Sequence, residues 1–250
     1  MVLTAVVLAG GLSACAAGGH QAAGDGLIAD PFEPANRAIH GFNKAADRFA
    51  LRPAAQVYEA ATPALVKHLV GNATDHLAVP AQAVQGALRG DLQSAATSVG
   101  RFAVNTLVGA GGLLDPATEV GLPKQQEDFG RTLAAWGVGE GPYVELPLLG
   151  PSTARDAAGR LGGMALDPVS WATGAAKPEW TDWVQPTAFV AGGVDWRAKN
   201  MASVDTALYE SADSYAIAKS VWLQQRRALI AGGDPTAAPF APDIYEDEPF

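Results

Sequence analysis

The single cysteine, Cys15, has the clearest potential for chemistry in this sequence. Residues 1–14 are uncharged, apolar or small, and they lead through Leu12-Ser13-Ala14 directly into this cysteine. Such a stretch is typical of a secretory signal peptide. The tetrapeptide resembles a bacterial lipobox, in which the cysteine sulfur receives diacylglycerol and cleavage makes the cysteine the first mature residue. We therefore predict a signal peptide over residues 1–14 and a lipid anchor at Cys15.

The residues that follow Cys15 favour this interpretation. A buried position in a helix is the commonest fate of a free thiol, but residues 16–26 are rich in Gly and Ala and look like a tether. Ala16, rather than Asp, follows the cysteine, a pattern that resembles enteric lipoproteins sorted to the outer membrane. The apolar stretch lacks a preceding Lys or Arg, which departs from the usual signal peptide.

Two residue pairs match parts of catalytic motifs. Tyr215 and Lys219 have the spacing of the Tyr-x-x-x-Lys pair of short-chain dehydrogenases, but that chemistry also needs a glycine-rich turn after an N-terminal strand. Glu127 and Asp128 are adjacent carboxylates, which usually point apart, so helix capping is favoured over acid–base catalysis. The sequence contains no Gly-x-Ser-x-Gly motif. We therefore expect a protein that is not an enzyme.

Metal and nucleotide sites are not predicted either. The four histidines, His20, His40, His68 and His76, do not have the spacing of a metal site with a nearby third ligand. The Gly109–Gly112 stretch lacks the Lys-Ser/Thr that completes a phosphate-binding loop. We expect no metal and no cofactor.

Composition narrows the choice of partner. The net charge of -9 argues against nucleic acid, which needs a basic surface. Charged residues make up 17% of the chain and apolar ones 48%, so a surface that contacts lipid or another apolar partner is favoured. No apolar run after residue 14 approaches the roughly 20 residues of a spanning helix.

Apolar residues recur at three- and four-residue steps, which predicts amphipathic helices and a mainly α fold. One helix contains Ile39, Phe42 and Phe49 on its apolar stripe and ends at Pro53. Pro63 and Pro80 each predict the first turn of a short helix. Asp91 is predicted to cap a longer helix whose apolar side carries Leu92, Ala95, Ala96, Val99, Phe102, Ala103 and Leu107. A further helix is predicted from the seven-residue repeat Leu208, Tyr215, Trp222 and Leu229.

The rest of the chain carries weaker signals. Residues 109–200 are dense in Gly, Pro and Trp and predict loops and short helices, with one isolated extended piece at Tyr143–Leu146. We predict four parts: a signal peptide (1–14), a lipidated tether (15–27), one helical domain (28–233) and a disordered acidic tail (234–250).

Several motifs then follow in a specific order. They are Asp30-Pro31-Phe32-Glu33-Pro34-Ala35-Asn36-Arg37, Gly100-Arg101-Phe102-Ala103-Val104-Asn105-Thr106 with the glycines and Asp115, the stretch from Glu127-Asp128-Phe129-Gly130-Arg131 to Gly141-Pro142-Tyr143, and Gly150-Pro151-Ser152. Between residues 28 and 233 the chain strongly resembles the MlaA (VacJ) lipoproteins.

The resemblance implies a fold and a function. The implied fold is a ring-shaped, donut-like bundle of amphipathic helices with a central amphipathic channel. The implied function is to remove mislocalised phospholipids from the outer leaflet of a Gram-negative outer membrane, to which the chain is anchored on the periplasmic side. The expected partners are phospholipid, a trimeric outer-membrane porin and a periplasmic lipid-carrier protein.

The resemblance also implies site residues. Phe42 and Asn43 correspond to a segment near a hairpin that gates the channel, and Gly109, Gly111 and Gly112 supply flexibility there. The helical period favours a different role for Phe42, as a core residue on the stripe of Ile39 and Phe49. Asn43 lies off that stripe.

Two other functions remain open at the level of sequence. The chain could be a lipoprotein scaffold for a porin or envelope complex that passes no lipid. It could also be an envelope enzyme such as a lipase, which would need a nucleophile hydrogen-bonded to a base in a cleft.

Overall fold

The computed structural model describes residues 28–176 and 181–232, which are mainly helical, as predicted. The predicted signal peptide, Cys15, its tether and the acidic tail lie outside the described residues. The chain divides after Met201 into two compact units.

The first unit contains nine helices among the residues described, and one hairpin. The helices are α1 (Glu33–Ala46), α2 (Arg52–Ala61), α3 (Ala64–Arg89), α4 (Leu92–Leu107), α5 (Pro116–Glu119), α6 (Phe129–Ala135), α7 (Ala154–Ala165), α8 (Pro168–Ala176) and α9 (Thr181–Lys199). The strands are β1 (Tyr143–Leu146) and β2 (Gly150–Thr153).

The first predicted helix does not end at Pro53, so that prediction is wrong. A π-helical stretch, Asp47–Leu51, connects α1 directly to α2, and Pro53 lies in the first turn of α2. A proline is tolerated there because the first turn of a helix leaves its backbone N–H groups without intrahelical partners. The wider π turn thus lets the chain stay helical from Glu33 to Ala61.

The two short helices predicted from Pro63 and Pro80 are one long helix, α3. Pro80 lies inside it, although an interior proline costs about 3 kcal/mol relative to alanine. α3 packs against α4, α6, α8 and α9. Tertiary packing of this extent outweighs the local cost of the proline, which is why local propensity misjudged this segment.

The isolated extended piece has a partner. β1 pairs with β2 in an antiparallel hairpin, with Tyr143 opposite Thr153 and Leu146 opposite Gly150. The backbone N–H of Tyr143 also donates to the carbonyl of Ala29, at 3.2 Å.

The predicted start of α4 is confirmed. Asp91 is its N-cap and accepts a hydrogen bond from the backbone N–H of Ser94 at 2.9 Å. The helix ends before a turn that contains Gly111 and Gly112, both with positive φ.

The apolar stripe of α1 is exposed, so the interpretation of Phe42 as a core residue is wrong. Phe42 is 55% exposed and Phe49, in the π-helical stretch, is 78% exposed. The buried residues of α1 are the polar Asn36 and His40. The physical reason is that hydrogen-bonding partners for these polar groups lie on the inner side of the helix.

The second unit begins at Ala202 and includes most of α10 (Met201–Asp205), a π-helical stretch (Thr206–Glu210) and α11 (Ser214–Ile230). The seven-residue repeat spans two elements, because Leu208 lies in the π-helical stretch. Asp213 caps α11 by accepting hydrogen bonds from the backbone of Tyr215 and Ala216.

Candidate functional site

The first unit exposes many large apolar side chains and buries charged ones. The exposed set includes Phe42, Phe49, Val57, Leu65, Leu92, Val99, Leu107, Val108, Leu161, Trp171, Trp183, Phe189 and Trp196. Burying one such side chain is worth about 1.5–3 kcal/mol, so exposure of the whole set to water would be costly. A surface of this kind marks contact with a membrane or an apolar partner.

Helix α4 shows most clearly that apolar side chains are exposed while polar ones are buried. Leu92, Val99 and Leu107 are 60–83% exposed. The buried residues of α4 are polar, namely Ser94, Ser98, Arg101 and Asn105. Their spacing of three and four residues defines one continuous inner face. α4 therefore turns its apolar side outward and its polar side inward.

Arg101, the one charged residue of α4, holds Asp115 on this inner face. Nη2 of Arg101 donates to both carboxylate oxygens of Asp115, at 2.8 and 2.9 Å. Nδ2 of Asn105 donates to Oδ1 of Asp115 at 2.9 Å. Burial alone would raise the pKa of Asp115, but hydrogen bonds from Thr118, Asn105 and Arg101 and the Arg101 charge together lower it to about 2. Asp115 is therefore a carboxylate.

His76 of α3 packs beside this ion pair. Its ring stacks on Phe102 with centroids 4.8 Å apart, and Nε2 lies 3.2 Å from Oγ1 of Thr106. Because the Thr106 hydroxyl donates to the carbonyl of Phe102, Nε2 must carry the proton and donate to Thr106. Nδ1 is buried without a hydrogen-bond partner. Burial, and next the charge of Arg101, lower the pKa of His76, so the ring is neutral at pH 7.

The predicted glycines lie in the turn next to His76. A Cβ atom on Gly112 would lie 2.2 Å from the His76 ring, and its φ of +94° is one that other residues rarely adopt. A Cβ on Gly109 would lie 2.5 Å from the carbonyl oxygen of Asn105. Gly111 has a φ of +73° and open space around it. Close packing thus accounts for Gly109 and Gly112, while their role in gating stays a prediction.

Asn43, the other predicted gate residue, binds α1 to the β-hairpin. Its Nδ2 donates to Oε1 of Glu145 at 3.2 Å and to the carbonyl of Leu146 at 2.9 Å, and its Oδ1 accepts from the backbone N–H of Leu148 at 2.7 Å. Phe42, its neighbour, points outward. The structure therefore places the predicted pair on α1 beside the hairpin, whereas the glycine turn contacts α3.

Glu145 is the centre of the same contact. It is 3% exposed, and it accepts a hydrogen bond from the Tyr143 hydroxyl and lies 3.4 Å from Nδ1 of His40. Asn36 completes the contact, because its Oδ1 accepts from the backbone N–H of Glu145 and its Nδ2 donates to the carbonyl of Tyr143. The amides of α1 thus satisfy backbone groups of β1.

A third buried cluster was missed from the sequence. Both oxygens of Glu127 accept hydrogen bonds from Arg89, at 2.6 and 2.9 Å, and Arg131 lies 3.2 Å from Oε1. Ser94 donates to the same carboxylate at 3.0 Å. Asp128 caps α6 through the backbone N–H of Arg131, as predicted. The four-residue spacing of Glu127 and Arg131 was the available signal in the sequence. The separation of 38 positions between Arg89 and Glu127 gave no such signal.

A fourth cluster connects α9 to the π-helical stretch and α2. Arg197, 1% exposed, donates to both oxygens of Asp47 at 2.8 and 3.1 Å. The Tyr58 hydroxyl donates to Asp195, which also binds Lys199. These ion pairs hold the polar faces of α9, the π-helical stretch and α2 together.

No helix among residues 28–176 and 181–232 is long and apolar enough to cross a membrane. The same residues hold no group of three or more His, Cys, Asp or Glu arranged to bind a metal ion. Tyr215 and Lys219, the dehydrogenase-like pair, are both buried.

The chain matches the family model "MlaA lipoprotein" over residues 28–229. It is 31% identical to the "Intermembrane phospholipid transport system lipoprotein MlaA" of Escherichia coli strain K12, over 94% of this chain and 92% of that protein. It is 40% identical to an uncharacterised protein of Rickettsia felis, where the alignment spans 56% of this chain and only 55% of the relative.

A solved structure is also similar to this chain. It is reported under "Structural basis for maintenance of bacterial outer membrane lipid asymmetry". The TM-score is 0.66 at 31% sequence identity, and the match covers 81% of this chain and 99% of that chain.

Proposed function

The chain belongs to the MlaA lipoprotein family, and on this premise we propose that it removes mislocalised phospholipids from the outer leaflet of the outer membrane. It passes them to a periplasmic lipid-carrier protein and so maintains the lipid asymmetry of the membrane. Cys15 carries the lipid anchor on the periplasmic side. The partners in the membrane are phospholipid and a trimeric porin.

The observation that carries this proposal is the reversed burial of the first unit. Leu92, Val99 and Leu107 are exposed on α4 while Arg101 is buried. In water the exposed apolar area would cost free energy, whereas the buried charge of Arg101 is compensated by its pair with Asp115. Among acyl chains the outer side is solvated by lipid and the inner side provides a polar surface. The arrangement therefore supports a protein immersed in lipid rather than a scaffold in water.

A conduit is the form that the chemistry of lipid transfer requires. Moving about 30 methylenes into water costs on the order of 25 kcal/mol at about 0.8 kcal/mol each. The acyl chains must stay in an apolar path while the headgroup stays in contact with polar groups. We propose that the amphipathic helices form a ring with such a channel, with Phe42 and Asn43 at its gate and Gly109, Gly111 and Gly112 near it.

The energy for net flow is proposed to come from outside the chain. The sequence has no Gly-x-x-x-x-Gly-Lys-Ser/Thr motif for nucleotide binding. A conduit shifts lipid only as far as the difference in affinity between donor and acceptor allows. Transport then depends on a downhill transfer to the carrier, and no catalytic step is needed.

The test measures outer-leaflet phospholipid in cells. Cells with the wild-type gene, a deletion and Cys15→Ala are compared by surface acylation of lipid A and by accessibility of phospholipid to added lipase. We expect surface phospholipid to rise in both mutants, with Ser13→Ala as the matched control that keeps the anchor and the wild-type level. If the deletion keeps the wild-type level, a scaffold is the better account.

A further inference from the structure

His76 of α3 packs against the glycine turn, residues 108–114, which follows α4. Its ring is 8% exposed and stacks on Phe102, with centroids 4.8 Å apart and planes 6° apart. Gly112 lies so close to the same ring that an added Cβ atom would be 2.2 Å from it. Because protein interiors are close-packed, the ring cannot move toward the turn unless the turn moves as well.

The glycine turn has a backbone that needs support from its neighbours. Residues 110–112 have consecutive positive φ angles of 54°, 73° and 94°, and the first of them is an alanine. A left-handed backbone is strained for alanine, and such strain persists only where surrounding contacts enforce it. Asn72, one helical turn before His76, provides such a contact from α3 by donating to the carbonyl of Leu113 at 3.1 Å. The turn is thus held against α3 by packing on His76 and by this hydrogen bond.

The hydrogen bonds of His76 suit the neutral ring and not the cation. Nε2 donates to Oγ1 of Thr106 at 3.2 Å, because that hydroxyl donates its own proton to the carbonyl of Phe102. Nδ1 is buried and has no hydrogen-bond partner among the residues that the structure describes. A proton added at Nδ1 would create a buried, cationic N–H group without an acceptor, which costs far more free energy than burial of the neutral ring.

The charged groups that face His76 are already paired with one another. A cavity of about 10 Å³, the space of one water molecule, is lined by His76 and by four charged residues, namely Asp75, Arg101, Asp115 and Lys124. Asp75 of α3 lies 2.6 Å from Lys124, and Asp115 at the start of α5 lies 2.8 Å from Arg101 of α4. Burial, and next the charge of Arg101, lower the pKa of His76, and the smaller effect of Asp115 opposes them only in part.

We propose that His76 is a pH switch for the glycine turn: when the ring binds a second proton at Nδ1, it leaves its place beside Phe102 and Gly112 and the turn separates from α3. The proton comes from solvent and no covalent bond is broken, so a return to neutral pH reverses the change. The cationic N–H then reaches water, and the turn loses the packing that enforces its strained backbone. The switch goes beyond the proposed function and does not rest on it, because it is a local equilibrium of the fold.

Acid should open the turn, because the buried ring is neutral. In the closed turn the pKa of His76 lies below its ordinary value of 6.5, and it returns toward that value once the ring is exposed. The open form therefore binds more protons, so closure of the turn is fully favoured above about pH 6.5 and weakens as pH falls below it. Asp115, with a pKa of about 2, stays charged in this range, so its pair with Arg101 is kept.

The test measures hydrogen exchange of the glycine turn in the full, acylated chain in detergent micelles, from about pH 8 to about pH 5. In the closed turn the backbone N–H groups of Gly112 and Leu114 donate to the carbonyls of Asn105 and Gly109, each at 2.9 Å, so their exchange reports opening. Mass spectrometry of the peptide that covers residues 106–114 gives their protection, after correction for the pH dependence of chemical exchange.

Three variants separate the switch from other effects of acid. His76→Gln keeps an N–H that can donate to Thr106 but does not titrate, and His76→Phe keeps an aromatic ring beside Phe102. His68→Gln removes an exposed histidine from the same helix and leaves the switch intact. Circular dichroism checks that each variant is folded, and either His76 variant alone is enough for the comparison.

We expect protection of the turn in the wild type and in His68→Gln to fall reversibly by up to about 30-fold at pH 5, the limit for a ring that regains a pKa of 6.5 when exposed. Peptides of α6 and of the β-hairpin should stay protected, and protection in His76→Gln and His76→Phe should not depend on pH. Constant protection in the wild type, an equal fall in a His76 variant, or loss of protection in all peptides at once would overturn the proposal.

Discussion

Arg101 and Asp115 form a buried ion pair that closes the turn between α4 and α5. One nitrogen of Arg101, Nη2, donates to both carboxylate oxygens, and Nη1 donates to Thr118 at 3.0 Å. Asn105 adds a second connection, because its Oδ1 accepts from the backbone N–H of Ala117 at 3.0 Å. The intervening turn, with its glycines, is thus held by one ion pair and by the neutral amide of Asn105.

Removal of Asp115 should destabilise the fold, because Arg101 would stay buried without a counter-ion. Arg101 is 4% exposed, so Asp115→Asn leaves a buried guanidinium without its counter-ion. We expect a loss of about 3–5 kcal/mol in the free energy of unfolding, measured by denaturant titration in detergent micelles. The control is Asp75→Asn, which breaks the exposed pair with Lys124 and should cost less than about 1 kcal/mol. Equal effects of the two changes would contradict a structural role of the buried pair.

The same ion pair should make the free energy of unfolding depend on pH in the acidic range. The pKa of Asp115 is about 2 in the fold, below its ordinary value of 3.8. A carboxyl group with a lowered pKa stabilises the fold fully above its unfolded value, and this contribution is lost as pH falls from about 4 toward 2. We expect wild-type stability to fall over this interval, and the Asp115→Asn curve to fall less. Parallel curves would contradict the assignment.

Contact with His76 makes Gly112 the more sensitive glycine of the turn. Gly112→Ala combines a positive φ with a Cβ only 2.2 Å from the His76 ring, whereas Gly111→Ala meets open space. Gly111→Ala should cost about 1–2 kcal/mol from backbone strain, and Gly112→Ala clearly more. The double variant Gly112→Ala/His76→Ala should recover part of the difference, measured as a coupling energy in a double-mutant cycle. Equal losses at the two glycines would show that His76 does not restrict the turn.

Local signals in the sequence identified where several helices begin. Asp91 and Asp128 each cap a helix as predicted, because capping depends on a side chain and backbone N–H groups only three residues away. Pro53 and Pro80 were misjudged for the opposite reason. A π turn keeps the chain helical up to Pro53, and packing along α3 keeps the helix continuous through Pro80. Neither effect can be recognised from a short stretch of sequence.

The periodicity of α1 and α4 predicted two unlike faces but not which one is buried. A helical period is the same whether the apolar stripe faces a core or lipid, because only the surrounding solvent differs. Arg101, the single charge on α4, was the available indication that the polar face points inward. Contacts such as Asn36 with Tyr143, 107 residues apart, could not be inferred from sequence spacing.

Phe42 and Asn43 are adjacent, yet the structure gives them different physical roles. Phe42 is exposed and Asn43 makes three hydrogen bonds to the hairpin. Phe42→Ser should therefore change the free energy of unfolding in detergent by less than about 0.5 kcal/mol, far from the 3–5 kcal/mol lost when a core phenylalanine is truncated. Asn43→Ala should cost about 1–3 kcal/mol, because the buried carboxylate of Glu145 and two backbone groups of the hairpin lose their hydrogen bonds.

A measurement of lipid transport in cells should further distinguish the role of Phe42 from that of Asn43. If Phe42 belongs to the gate, Phe42→Ser alters surface phospholipid in cells without lowering the amount of folded protein, whereas Asn43→Ala alters both. Phe49→Ser is the matched control, since Phe49 is also an exposed phenylalanine but lies seven residues further along the helical segment. An unchanged level of surface phospholipid in Phe42→Ser would leave this residue as one more lipid-facing side chain and would move the gate away from α1.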